Sequence, residues 1–370
     1  MHTLTFYPLG NADTNLIELS NGRILVIDYA HVKSAAEGDR RYDLKTDLTA
    51  KLDAKKRTDV DVFCITHLDW DHIAKAHEFF YLEHAAKYQT GKRFKIVELW
   101  VPASAITEEG CEDEARIWRA EAQHRLKQGA GIRIFSKPDL LKDWMAKNDV
   151  DFESRKHLIT DAGSLVSGFS LAADEAEFFL HSPHGHVINQ RDAIDRNKDC
   201  VVLQAVFEVQ GQQTKVIYSA DAHWETMVDI VTITKRHGNE SRLDYDIFSL
   251  PHHCSAYSLN AEKGVTKTVP EPEITEWFDR GSTRCILISS SDIIPTTDST
   301  QPPHIQAKRY YEDVKLSKNG QFKVTMEHPN TFYDPSPLVV EVGRHGGVIK
   351  TIASEVGSAA TVAVQPPKAG

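Results

Sequence analysis

Four side chains of metal-ligating type, His67, Asp69, Asp71 and His72, fall within six residues of the run Thr66-His67-Leu68-Asp69-Trp70-Asp71-His72. On extended chain, positions 67 and 69 point the same way. If the chain then turns into a helix, 71 and 72 face a second, neighbouring point. One short turn can thus serve two adjacent cations, the arrangement used in two-metal hydrolysis. A lone His-x-Asp would read as a surface turn with an aspartate cap. The full quartet, directly behind the apolar run 60–65, reads as metal chemistry.

Other candidates follow along the chain. Asp221 ends the apolar run 215–220, where it could either cap the next helix or bridge two cations. His252 and His253 follow the run 246–250. Adjacent residues of an extended chain point oppositely, so one of the two ligates metal and the other donates to substrate or orients a ligand. His181, His184 and His186 form a third cluster, with His184 and His186 as metal or substrate candidates around Gly185. Ser255 is a further candidate for contact with metal or substrate. Ser255, Tyr257 and Ser258, and likewise 289–292, are hydroxyl-rich stretches that suit either phosphate oxygens or ordinary polar turns. His77 and His84 share a helix face with no other ligand type and read as solvated. The chain has no phosphate-binding P-loop, dinucleotide fingerprint or nucleophile elbow in a usable context.

These residues need a scaffold. Residues 2–8, 13–19 and 23–29 read as strands separated by Gly10-Asn11 and Asn21-Gly22, a hairpin signal. Strands are expected at 60–65, 94–101, 176–181, 199–209, 214–219, 245–250, 284–289, 322–326, 337–343 and 347–352. Helices are expected at 71–87, 111–128, 138–147, 224–236 and 304–314, so the first motif sits on a strand-to-helix turn. Strand-rich halves separated by helices make an α/β sandwich. One domain is expected over 1–355, with a helical insertion at 105–165 that caps the site or receives a protein partner, and a flexible tail at 356–370.

Composition narrows the function. The formal charge of −10 disfavours a protein that coats nucleic acid by charge alone, yet a metal site supplies its own local positive charge. No run approaches the length of a membrane-spanning helix. The first seven residues read as a strand and not as a signal peptide. With 5 cysteines and no CxxC pair, a reducing, cytoplasmic setting without disulfides is expected.

The first motif resembles that of the metallo-β-lactamase superfamily, His-x-His-x-Asp-His, with Asp69 in place of the second histidine. The aspartate form is similar to the ComEC-type branch, the nuclease-like domains of DNA-uptake proteins. Asn197-Lys198-Asp199-Cys200-Val201-Val202-Leu203 resembles that branch's Asn-x-x-Ser-Leu-Val-Leu. Tyr218-Ser219-Ala220-Asp221 resembles its Gly-Asp segment, and Pro251-His252-His253-Cys254-Ser255 its Pro-His-His-Gly-Ser, with Ala220 and Cys254 where the branch has glycine. Pro303-His304 falls where the branch has a late His-Pro, in reversed order, and the resemblance implies Asn197 and His304 as candidates for contact with metal or substrate. The resemblance implies a four-layer αββα sandwich and two divalent metal ions, Zn²⁺ or Mn²⁺. Their ligands would be His67, Asp69, Asp71, His72, a bridging Asp221 and one of His252 or His253. It implies a water activated between the cations, with Asp71 taking its proton, and a phosphodiester substrate, either DNA or a small nucleotide. Asp69 hardens the site towards Mn²⁺ or Mg²⁺ while leaving Zn²⁺ acceptable. Two other readings stand beside this one: a carbon-ester hydrolase of lactonase or thioesterase type, and a binding or regulatory module that keeps only the fold.

Overall fold

The computed structural model describes residues 1–136, 139–184, 196–330 and 334–350. The expected tail at 356–370 and the candidate His186 lie outside the described residues.

Turn residues organise the first strands. β1 (His2–Phe6) pairs antiparallel with β2 (Asn15–Glu18), and β2 with β3 (Ile24–Ile27). Gly22, in the turn between β2 and β3, holds a φ of 89°, which glycine adopts without steric penalty. Beyond β3 the sheet grows by parallel crossovers through β4 (Asp59–Cys64), β5 (Lys95–Pro102), β6 (Ile132–Phe135) and β7 (Ile159–Thr160).

The second sheet begins with antiparallel β8 (Ala176–Ser182), β9 (Val202–Val209) and β10 (Gln212–Tyr218). Gln210 and Gly211 close the β9–β10 hairpin with φ of 54° and 82°, the two left-handed residues of a type I′ turn. Parallel β11 (Tyr245–Ser249), β12 (Gly281–Ser289) and β13 (Gln321–Val324) follow. Then β14 (Leu338–Gly343) and β15 (Gly346–Ile349) return to the free edge of the first sheet. The strand orders are β15-β14-β1-β2-β3-β4-β5-β6-β7 and β13-β12-β11-β10-β9-β8.

The side-chain period of two sorts residues into layers. Leu25 and Ile27 of β3 share a core with Leu203, Phe207, Val216 and Ile286, so the two sheets pack face to face. Their neighbours Ile24 and Val26 turn outward to Leu48, Trp118 and Met145 of covering helices. On the other side, Ile217 and Leu287 meet Ile230, Trp277 and Tyr311 from the helices Trp224–Arg236, Pro272–Asp279 and Ile305–Lys318. This is the expected αββα sandwich.

Two local expectations change. The helix expected over 71–87 is instead two single turns, Trp70–Ile73 and Ala76–Phe79, broken at Lys75 with a φ of 56°. The carbonyls of His72 and Ala74 accept the amides of Tyr29 and His31 at 2.9 Å, so the chain leaving β3 takes bonds that a continuous helix would have used. The segment 105–165, read from sequence as a helical insertion, carries the helices Asp113–Gln128 and Asp139–Lys147 and also β6 and β7, which extend the first sheet. Among the described residues no helix is long and apolar enough to cross a membrane. All five cysteines are free and buried.

Glu121 on the helix Asp113–Gln128 ties this layer to the segment behind the motif. Its carboxylate meets buried Arg125 at 2.7 Å, the His84 ring at 2.8 Å and the amides of Glu83 and His84 at 3.1 and 3.0 Å. His84 is therefore a hydrogen-bonded packing residue and not a solvated one, and His77 lies 3.6 Å from Glu114 in the same layer. Burial would raise the Glu121 carboxyl, but His84 and Arg125 outweigh it and hold it at about 2, below its ordinary 4.5. That depression stabilises the fold above about pH 4.5 and is lost as pH falls through about 2. Glu121→Gln, which strands the Arg125 charge, should cost about 3 kcal/mol at neutral pH in denaturant melts. The gap to wild type should narrow as pH drops below about 4.5; a gap independent of pH would contradict this account.

Candidate metal centre

The C-terminal ends of β3, β4, β10, β11 and β12 meet at one edge of the sandwich, where open α/β sheets place their ligands. Each strand end delivers a polar group. Asp28 follows β3, the quartet follows β4, Asp221 follows β10, the histidine pair follows β11 and Ser290 follows β12. The β1–β2 connection adds Asp13, whose backbone amide donates to the Asp71 carbonyl at 3.1 Å.

Asp13, His72, Asp221 and His253 form the centre. All four are buried, and each offers a ligand atom within 4.8 Å of the others. His72 Nε2 lies 3.3 Å from Asp221 Oδ1, and His253 Nε2 lies 3.6 Å from Asp221 Oδ2. Both imidazoles are held from behind. His72 Nδ1 is 2.7 Å from Asp28, which also receives the Thr66 amide and hydroxyl at 2.8 and 2.7 Å. His253 Nδ1 donates to the Ser290 carbonyl at 2.7 Å. Such bonds fix ring orientation and leave Nε2 to face a cation.

Backbone strain builds part of this geometry. His252, His253 and Cys254 are left-handed in succession, with φ of 49°, 53° and 65°, and Ala220 before Asp221 has a φ of 45°. Non-glycine residues there cost of order 1 kcal/mol or more each. The sequence expectation that one histidine of the pair ligates metal while the other serves substrate or orients a ligand rested on extended chain, which this segment is not. On this backbone both rings reach the site: His252 Nε2 and His253 Nε2 each stand 3.6 Å from Asp221 Oδ2. Ala220 and Cys254, which take the place of glycine in the sequence resemblance, occupy conformations that glycine would adopt without strain.

The rest of the quartet lies alongside. Asp71 Oδ2 is 3.2 Å from His253 Nε2 and 4.0 Å from His72 Nε2, and its side chain is 30% exposed against 4% for Asp221. It is the carboxylate of the centre that solvent can reach. His67 Nε2 lies 3.4 Å from Asp69 Oδ2, and its ring centroid is 4.0 Å from that of His72. Asp69 Oδ1 is bound by Arg196 at 2.7 Å.

Charge explains the electrostatics. Burial opposes ionisation of Asp13, Asp71, His72, Asp221, His252 and His253. It wins at Asp13, whose carboxyl is raised, and at His252, pushed down to about 4. Elsewhere the neighbours outweigh it. Asp221 and Asp28 lift His72 well above the usual imidazole range, and Asp221 and Asp71 push His253 up to about 10. His253 and His72 in turn hold Asp221 well below the carboxylate range, and His72 and His253 lower Asp71. So many buried carboxylates demand positive charge, which protons on imidazole supply in the absence of a cation. The donor set fits a divalent cation. It mixes imidazole and carboxylate, and His67 Nε2, His72 Nε2, Asp221 Oδ1 and Asp13 Oδ1 have no hydrogen-bond partner.

Other candidates sit elsewhere. His184 lines a separate cavity of about 110 Å³ with His181 and His237. Ser255 caps the turn at Ala256, its hydroxyl accepting the Tyr257 amide at 3.2 Å. His304 Nδ1 accepts the Ala256 amide at 3.1 Å and so braces the loop behind His253. Asn197 meets His223 at 3.3 Å, and the His223 ring stacks on His252 at 5.4 Å. Asp13, Asp28, Arg196 and His223 are not among the sequence candidates. Asp28, like Asp221, ends an apolar run at the close of a strand, which is the signal that would have found it.

No protein-family model matches the chain, and no curated protein matches it. Solved structures give low-level likenesses to metallo-beta-lactamases, the first two named here of class B3. With MEM-A1 from a soil metagenome library the identity is 12%, covering 67% of this chain and 79% of that one, at a TM-score of 0.32. With the di-zinc enzyme LRA-12 from an Alaskan soil metagenome it is 11%, covering 85% and 91%, at 0.32. With GOB-18 from Elizabethkingia meningoseptica it is 12%, covering 75% and 87%, at 0.30. The layering and the donor cluster are seen directly in this chain and do not depend on these likenesses.

Two measurements test the centre. Because His72 and His253 carry protons without a cation, uptake at about pH 7.5 should release them. The calorimetric heat of Mn²⁺ or Zn²⁺ binding should then change with the ionisation enthalpy of the buffer; equal heats in two such buffers would contradict the assignment. Asp28→Asn should weaken binding about 10- to 100-fold by loosening His72.

Proposed function

We propose that this protein is a metal-dependent hydrolase of the metallo-β-lactamase fold that cleaves phosphodiesters, with DNA or a small nucleotide as substrate. The carrying observation is the convergence of Asp13, His72, Asp221 and His253 in one buried cluster, with the partly exposed Asp71 on its solvent side. Bound divalent cations supply Lewis acidity, which makes water more acidic and offsets charge on phosphoryl oxygens.

The chain's own groups do the rest. Asp221 turns one oxygen to His72 and the other to His252 and His253, so it can serve both sides of the centre. Asp28 and the Ser290 carbonyl keep the two imidazoles aimed inward. Positive charge beside Asp71, from the His72 and His253 rings without a cation and from the cation itself once bound, favours its ionised form despite burial, and it is partly open to solvent. It is placed to orient an attacking water and accept its proton. A donor set this rich in carboxylate favours hard cations and oxygen ligands, which supports phosphate oxygens as the substrate group.

The test uses the full chain loaded with Mn²⁺ or Zn²⁺ against bis(p-nitrophenyl) phosphate, single-stranded DNA and p-nitrophenyl acetate. Phosphodiester cleavage should depend on the metal and fall about 100-fold or more in Asp71→Asn. Asp221→Asn should lose bound metal and activity together. Ester cleavage with phosphodiesters untouched would overturn the substrate class and favour the carbon-ester reading. Full metal occupancy without turnover would favour the binding module.

A further inference from the structure

The two sides of the donor cluster differ in what already neutralises them. On one side Asp13, His72, Asp221 and His253 are buried, mutually close and contributed by four separate segments. No lysine or arginine forms an ion pair with Asp13 or Asp221 among the described residues; their close charged neighbours are histidines and aspartates. Beside that group stand His67, whose ring centroid lies 4.0 Å from that of His72, and Asp69. There Asp69 is already engaged: Arg196 Nη1 donates to Oδ1 at 2.7 Å, while Oδ2 faces His67 Nε2 at 3.4 Å.

Arg196 is not a loose surface side chain. Its Nε donates to both Glu108 oxygens at 3.1 and 3.0 Å, Nη2 to Glu108 at 2.7 Å and Nη1 to the Leu68 carbonyl at 3.0 Å. A guanidinium keeps its charge at any working pH, and its planar fork loses little freedom when both ends are bound. It therefore stands as a fixed positive charge on Asp69. A cation binding at His67 and Asp69 must share that carboxylate with Arg196 and approach a like charge.

We propose that the two cation subsites are unequal, and that Arg196 sets the difference. The Asp13–His72–Asp221–His253 subsite fills first and tightly. A second cation at His67 and Asp69 binds weakly because Arg196 holds Asp69, and Glu108 holds Arg196. The site thus works with one resident cation and a guanidinium where a second cation would otherwise add its charge. This inference rests on the metal-centre reading above and concerns only how the cations divide.

Stoichiometry tests it without reference to activity. Stripped full-length protein is titrated calorimetrically with Mn²⁺ and separately with Zn²⁺, and bound metal is counted by mass spectrometry after equilibrium dialysis. Wild type should bind one equivalent at least 100-fold more tightly than a second. Asp13→Asn should weaken the first equivalent 10-fold or more and leave the second unchanged. Arg196→Gln should tighten the second 10-fold or more and leave the first within 3-fold. Circular dichroism of the stripped variants checks folding. Should Arg196→Gln not fold, Arg196→Lys, which keeps the charge but loses the fork, should tighten the second equivalent by a smaller factor. Two equivalents of like affinity in wild type, or a second equivalent that does not tighten in either Arg196 variant, would overturn the inference. Absence of any bound cation would overturn the metal centre itself.

Discussion

Asp13, Asp28, Asp71 and Asp221 crowd around the imidazoles of His72 and His253 in a region from which water is largely excluded, and that excess of negative charge constrains everything nearby. Carboxylates buried together are stable only with positive charge among them. The cluster is balanced by protons on its histidines or by a cation, and the strands must deliver both signs to the same place. That requirement accounts for the left-handed backbone at Ala220 and at His252–Cys254. These conformations are unfavourable locally, and they bring two rings to one oxygen of Asp221.

The sandwich meets the requirement by aligning strand ends. Strands β3 and β4 of the first sheet and β10, β11 and β12 of the second stop at the same edge of the molecule. Backbone ties from Tyr29 and His31 to the carbonyls of His72 and Ala74 set the height of the motif turn, and they explain why the apparent helix after it is cut into single turns. The Glu121–Arg125–His84 network holds the outer helix against this layer from behind. Glu108 and Arg196 connect the segment after β5 to Asp69 at the rim.

Much of this was legible in the chain. Strand periodicity gave the two sheets, because buried residues alternate faces, as Ile24, Leu25, Val26 and Ile27 do. The quartet was legible because four ligand types rarely cluster behind a buried strand by accident. Asp13 was not, since a single aspartate in a polar turn carries no periodic signal and meets Asp71 only through the fold. Arg196 was hidden for the same reason: its partners Glu108 and Asp69 are 88 and 127 residues away in sequence. The backbone of the histidine pair was not legible, because Cys254 does not advertise a left-handed conformation as glycine would.

The donors come from both sheets: Asp13 and His72 from the first, Asp221 and His253 from the second. A cation gripped by all four would act as a rivet through the sandwich, reinforcing polar ties that already cross at this edge, such as the Val201 amide on the Thr66 carbonyl at 3.0 Å. Neither half of the chain could form the grip by itself, so metal capture belongs to the end of folding, after the sheets have met. It would also make separation of the two sheets the step that a chelator accelerates, well before it loosened either sheet internally.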